Sequence, residues 1–102
     1  SASMQSSYAD QFDREMACTE AEWLRWLPQA IGTQAWTMHG GTADVRFAEG
    51  ALALSWTVCE PRVIGLARMP RMRVGFRFTG VDEAQRLAFM KRFDLYMQRG
   101  GG

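Results

Sequence analysis

The chain has 102 residues, 47% of them hydrophobic, with twelve Lys or Arg against eleven Asp or Glu. That length bounds one domain able to bury about two-thirds of the surface its unfolded chain exposes. The apolar and aromatic content excludes a disordered class, and no apolar run approaches the roughly 18 residues that span a bilayer.

Residues 1–18 read as a tag remnant, Ser1-Ala2-Ser3, followed by an N-terminal arm or short helix, because Tyr8, Phe12 and Met16 recur every four residues after Ser7. Residues 19–102 read as a single α+β domain. It opens on Thr19-Glu20-Ala21-Glu22, a capping box in which Thr19 accepts from the Glu22 amide and Glu22 reaches back to the Thr19 amide. Trp23, Leu24, Trp26, Leu27, Ala30 and Ile31 then share one side of a helix that stops at Gly32. Pro28 removes an amide in that run and predicts a kink or an early end.

From residue 34 to 79 the apolar period becomes two. Gly40-Gly41 and Glu49-Gly50 suit two-residue hairpin turns, whereas Cys59-Glu60-Pro61 and Met69-Pro70-Arg71 suit three-residue loops. These lengths place Trp36, Val45, Leu54, Leu66 and Val74 in one row and Met38, Ala43, Trp56, Ile64 and Phe76 in the next. The expected sheet is therefore a five-stranded antiparallel meander with one apolar face.

Asp82-Glu83-Ala84-Gln85 is a second capping box and starts a long helix expected to end near Gln98. Phe89, Met90, Phe93, Tyr96 and Met97 form its main apolar stripe, while Ala84, Ala88 and Leu95 form a smaller second one. The expected architecture is a two-layer α+β sandwich, with the N-terminal and C-terminal helices packed on one face of the sheet.

Near-neutral overall charge hides a polarity. Residues 1–60 carry three Arg against eight carboxylates, a net −5, and residues 61–102 carry nine cations against three carboxylates, a net +6. A surface so divided suits pairing with another copy or holding an anion. The register sets Gly65 opposite Gly75, and these two glycines with Arg71, Arg73 and Arg77 form a candidate ligand-binding set, a bare backbone notch flanked by guanidinium forks. Arg73 and Arg77 are about 13 Å apart along one strand, which favours a diphosphate or dinucleotide over free phosphate. The run Arg73-Val74-Gly75-Phe76-Arg77 resembles the R-x-x-x-R half of the cyclic-di-GMP motif of PilZ domains, but its D/N-x-S-x-x-G half is absent. Arg62 and Arg68 fall toward the apolar face and call for partners such as Glu20, Asp82, Glu83 or Asp94.

For catalysis the one neutral-range base is His39, at the Gly40-Gly41 turn, with no nucleophile and orienting group converging on it. Cys59 sits beside Glu60, which opposes thiolate formation. Cys18 and Cys59 read as reduced thiols of a cytoplasmic protein, and neither a metal signature nor a cofactor fingerprint occurs. Nucleic acid is disfavoured by the charge balance and by an exposed sheet without aromatic side chains. The sequence thus points to a non-enzymatic domain acting by protein association, as a homodimer or accessory partner, through the small-residue sheet face or the second stripe of the C-terminal helix. An anion- or nucleotide-binding module is the alternative.

Overall fold

The computed structural model describes residues 7–101, with side chains for 7–98; the tag remnant expected at residues 1–3 lies outside the described residues. The elements are β1 (Gln11–Met16), α1 (Glu20–Ile31), β2 (Trp36–His39), β3 (Thr42–Arg46), β4 (Ala51–Ile64), β5 (Ala67–Thr79) and α2 (Glu83–Gly101). All five strands are antiparallel in the order β1-β5-β4-β3-β2. Both helices lie on one face, completing a two-layer α+β sandwich.

Residues 11–16 are a strand and not the helix expected of the N-terminal arm. A spacing of four is even, so it satisfies the period of a strand as well as that of a helix. Phe12, Arg14 and Met16 are half-buried while Gln11, Asp13 and Glu15 are exposed. The outer edge of β5 supplies the ladder, with Phe12 opposite Phe76 and Met16 opposite Met72.

The other four strands form a meander whose connections differ from expectation. The Gly40-Gly41 turn is as read, joining His39 and Thr42. The next loop takes residues 47–50, so Val45 pairs with Leu52 and Ala43 with Leu54, a slip of two residues that preserves the apolar face. The backbone explains the longer loop: a Cβ on Gly50 would collide with the carbonyls of Thr79 and Gly80, and Gly80 has φ 70°. Cys59-Glu60-Pro61 is no loop but a bulge within β4, and Met69-Pro70-Arg71 lies inside β5. The actual turn is Gly65-Leu66, where Gly65 has φ 60°.

Both capping boxes form. Thr19 Oγ1 accepts from the Glu22 amide at 3.1 Å and Glu22 returns the bond at 2.9 Å; Asp82 and Gln85 do the same at 2.8 and 3.3 Å. α1 continues through Pro28 to Ile31 because its last turn buries Ala30 and Ile31, and Gly32 then donates to the Pro28 carbonyl. α2 runs three residues beyond the expected end, to Gly101.

The core buries Leu54, Trp56, Val74 and Phe76 against Trp23, Leu27, Phe89 and Phe93, as the periodicity predicts. Trp23 meets Trp56 and Phe93, and Phe93 meets Phe76 edge-on at 5.5 Å. Trp36 is half-buried, and Leu66 is fully exposed at the hairpin tip.

Of the two cations expected on the helix side of the sheet, Arg68 falls there but beyond the helices, exposed, and the cation that reaches α2 is Arg14. Its guanidinium pairs with Asp94 of α2 at 2.6 Å and lies 5.2 Å from the Phe76 ring centroid. Asp94 also accepts from the Tyr8 hydroxyl at 2.6 Å. Arg62 instead pairs with Glu15 on the open face at 3.5 Å, and Arg68 is exposed.

Two outcomes are expected. Trp56→Ala, removing a side chain wedged against Trp23, should cost about 3–5 kcal/mol in denaturant unfolding; a change near zero would contradict this core. Burial, followed by the Asp94 carboxylate, raises the Tyr8 pKa from its ordinary 10.0 to about 12. The folded state therefore holds that proton more tightly, and the contribution present below pH 10.0 is lost as pH rises toward about 12. Stability measured across this window should fall more in the wild type than in Tyr8→Phe, and equal declines would contradict the tie.

Candidate functional site

The open sheet face is ordered by the register. Gln11, Arg77, Ala53, Asp44 and Thr37 form one row; Asp13, Gly75, Ser55, Thr42 and His39 form the next. Gly65 and Gly75 are not opposite one another. Gly65 caps the β4–β5 hairpin, and Gly75 lies between Asp13 and Ser55. Nor is Gly75 bare: a Cβ there would stand 3.0 Å from Asp13 Oδ1 and 3.0 Å from Ser55 Oγ. The predicted notch therefore does not form, because β1 lays a carboxylate over the position where an anion would sit.

The arginines of that set are counter-charged by the same strand. Arg71 donates to Glu15 at 2.9 Å and to the Glu60 carbonyl at 2.9 Å. Arg73 stands 4.0 Å from Asp13, and Arg77 faces Gln11 and Ala53. These pairs are solvent-exposed, where an ion pair contributes about 0–1 kcal/mol. They still place negative charge where an anionic ligand would have to bind.

His39 stands at the end of β2, beside the Gly40-Gly41 turn. It is exposed, and its carbonyl accepts from Thr42 Oγ1 at 2.9 Å. Cys18 is buried, Cys59 is half-buried, and neither is in a disulfide. Burial, then the charge of Glu22, pushes the Cys18 thiol pKa up. Among the described residues no cluster of His, Cys, Asp or Glu could hold a metal ion, and no helix is long and apolar enough to cross a membrane.

The feature that sequence reasoning missed is the far end of the β4–β5 ribbon. β1 stops pairing at Met72 and β3 stops at Ser55, whereas β4 and β5 continue together to Ile64 and Ala67. Residues 60–71 thus project as a two-stranded arm beyond both neighbours. Apolar side chains stand on it in solvent: Val63 and Ile64 are each 59% exposed, Leu66 is 105% exposed, and Val58 at the root is 59% exposed. Met69 adds to the same set. A groove of about 230 Å³ at the root of the arm is lined by Ala17, Ile64, Met69 and Pro70 together with the charged Glu15, Arg62 and Arg71. The sequence carried one signal for this turn, Gly65 placed midway between Pro61 and Pro70.

Proline guards both strands of the arm. Cys59 pairs with Arg71 and Arg62 with Met69, which leaves Glu60 and Pro61 against Pro70 in the bulge. A missing amide and a kinked ladder blunt an edge against strand addition. The arm is therefore built to contact other matter through side chains more than through backbone.

The second stripe of α2 is open as well, but sparse, with Leu95 46% exposed beside two alanines. A cavity of about 270 Å³ at the opposite end lies between Ile31, Phe47, Phe89 and Arg92. Arg92 crosses Gly32 there and stacks on Tyr96, with its guanidinium carbon 4.5 Å from the ring centroid. No family model, curated protein or solved structure matches this chain.

Removing the β1 carboxylates should expose the guanidinium groups. In calorimetry at low salt, pyrophosphate should bind Asp13→Asn/Glu15→Gln about tenfold or more tightly than it binds the wild type, through charge-assisted bonds that are otherwise internal. Equal binding by the two proteins would show that these carboxylates do not control the face.

Proposed function

We propose that this chain is a small non-enzymatic domain that acts by protein association, as a homodimer or an accessory partner, and that it associates through the β4–β5 arm. The observation that carries this reading is the exposure of Val63, Ile64, Leu66 and Met69 on the two faces and tip of one projecting ribbon, with Val58 exposed at its root on the same face as Val63. Isolated exposed apolar residues are ordinary on any surface, but a contiguous group is characteristic of an interaction site. Such a group also endangers a monomer, since it invites aggregation in the absence of a partner.

Two further features support the reading. Edge protection by Pro61 and Pro70 is a device against promiscuous strand addition, which fits an arm selected for a defined contact. The arm continues the β4–β5 ladder out of the core without a break in pairing partner, and Arg62 and Arg71 both reach Glu15 at its root, so the ribbon is presented in a set direction. Preorganisation of this kind lowers the ordering cost of association.

A photo-crosslinking side chain placed at Leu66 should yield protein adducts in cells that naturally produce the chain. The same group at Ser55, on the open sheet face, should yield markedly fewer. Absence of adducts from Leu66, or equal yields from both positions, would contradict association through the arm.

A further inference from the structure

We infer that the partner of the arm is a second copy of this chain, and that two arms pack antiparallel, face to face, about a two-fold axis. This rests on the association reading above and adds the identity and geometry of the partner.

The inference begins with which side chains share the helix-facing side of the arm. Val58 pairs with buried Met72 and so points to the helix side. The one-residue bulge places Pro70 opposite Glu60 and Pro61, and beyond it Val63 pairs with Arg68 on that same side. Arg62 and Met69 fall on the open side, as the contact of Arg62 with Glu15 requires.

The helix layer does not extend beneath these residues. α1 begins at the root, where Glu20 accepts from the Trp56 indole at 2.9 Å. Beyond Trp56 the sheet layer continues as the arm, and among the described residues none covers its helix-facing side, since Val58, although paired with buried Met72, stands in solvent. The arm therefore overhangs a vacancy one layer deep, bounded on one side by the first turn of α1.

A second arm has the thickness to fill that layer, since stacked sheets pack about 10 Å apart. Antiparallel placement sets Val63 of one copy on Val58 of the other and brings each Leu66 tip against the partner's α1. It also brings Arg68, which has no ion pair among the described residues, to the first turn of that helix, where Glu20 and Glu22 sit. Knob, apolar seam, cation and carboxylates all occur on one surface, so the contact is self-complementary and closes at two copies. The open side lacks this match, because antiparallel placement there would set Ile64 and Met69 against Arg71 and Glu15. One arm face measures about 20 Å by 10 Å, about a quarter of the roughly 800 Å² a partner contributes to a standard interface, so the dimer is expected to be weak and to need the contacts of the Leu66 tip and of Arg68 with the partner's α1 as well.

The test is sedimentation equilibrium of the full chain from low to high micromolar concentration, with circular dichroism to confirm that each variant is folded. The wild type should dimerise, and Leu66→Asp, at a tip that contributes nothing to the core, should be monomeric. Arg68→Glu and Glu20→Arg should each weaken the dimer about tenfold or more. Mixed together, these two should recover it as a heterodimer, because both charge contacts are then opposite in sign. A wild-type monomer throughout the range would overturn the inference, as would a dimer unaffected by Leu66→Asp or a mixture that fails to recover. If the monomer still gave protein adducts from a crosslinker at Leu66, association through the arm would stand with a different partner; binding of the monomer to anionic vesicles in place of protein would remove both.

Discussion

The whole structure depends on an inequality of strand length about β5. This strand has 13 residues and pairs with β4 over its full extent, but β1 covers only six of its positions and β3 only five of those on β4. Where all four run together, alternating side chains meet two helices and form a core. Where only two continue, the same alternation leaves valine, isoleucine and leucine in water. Core and arm are consequences of one ladder that is wide at one end and narrow at the other.

The opposition of an acidic N-terminal half and a basic C-terminal half is met inside the fold at one place, the junction of β1 with β5 and the root of the arm. Pairing β1 with β5 sets Asp13 and Glu15 among Arg71 and Arg73, while Arg14, on the other face of the same strand, crosses to Asp94. A charge split read along the sequence becomes a set of neighbours in space. That is why an arginine-rich strand, which looks in isolation like an anion clamp, presents a nearly balanced surface once its edge is filled. Exposed pairs contribute little to stability, and which face of β1 meets solvent is set instead by Phe12 and Met16 packing on the core and by Arg14 reaching Asp94.

The layers and helix ends were legible because their signals are local. A capping box spans four residues, and alternation survives an error of two in register, so the sequence places Trp56, Val74 and Phe76 in the core while matching them with the wrong cross-strand neighbours. The strand at residues 11–16 was hidden by a spacing common to helix and strand, and only the unfilled edge of β5 decides between them. The arm was hidden by Pro61 and Pro70, which ordinarily end strands and here are absorbed by a bulge without flanking strands to disrupt. With that turn misplaced, Gly65 moved from a tip to a notch, and the candidate site moved with it.

The crossing of the loop at residues 47–50 over Gly80 bears on how sequence variation in this chain should be weighed. At Gly50 a side chain has no room beside the Thr79 and Gly80 carbonyls, and at Gly80 the backbone adopts a positive φ with the Glu49 carbonyl close by. Neither position can accept a larger residue while the other holds its present path, so substitution at either would need a concerted rearrangement of both loops. Invariance of these two glycines among descendants would then record a steric lock in the scaffold, whereas retention of a leucine at position 66, where the scaffold exerts no demand, would record selection by whatever it touches.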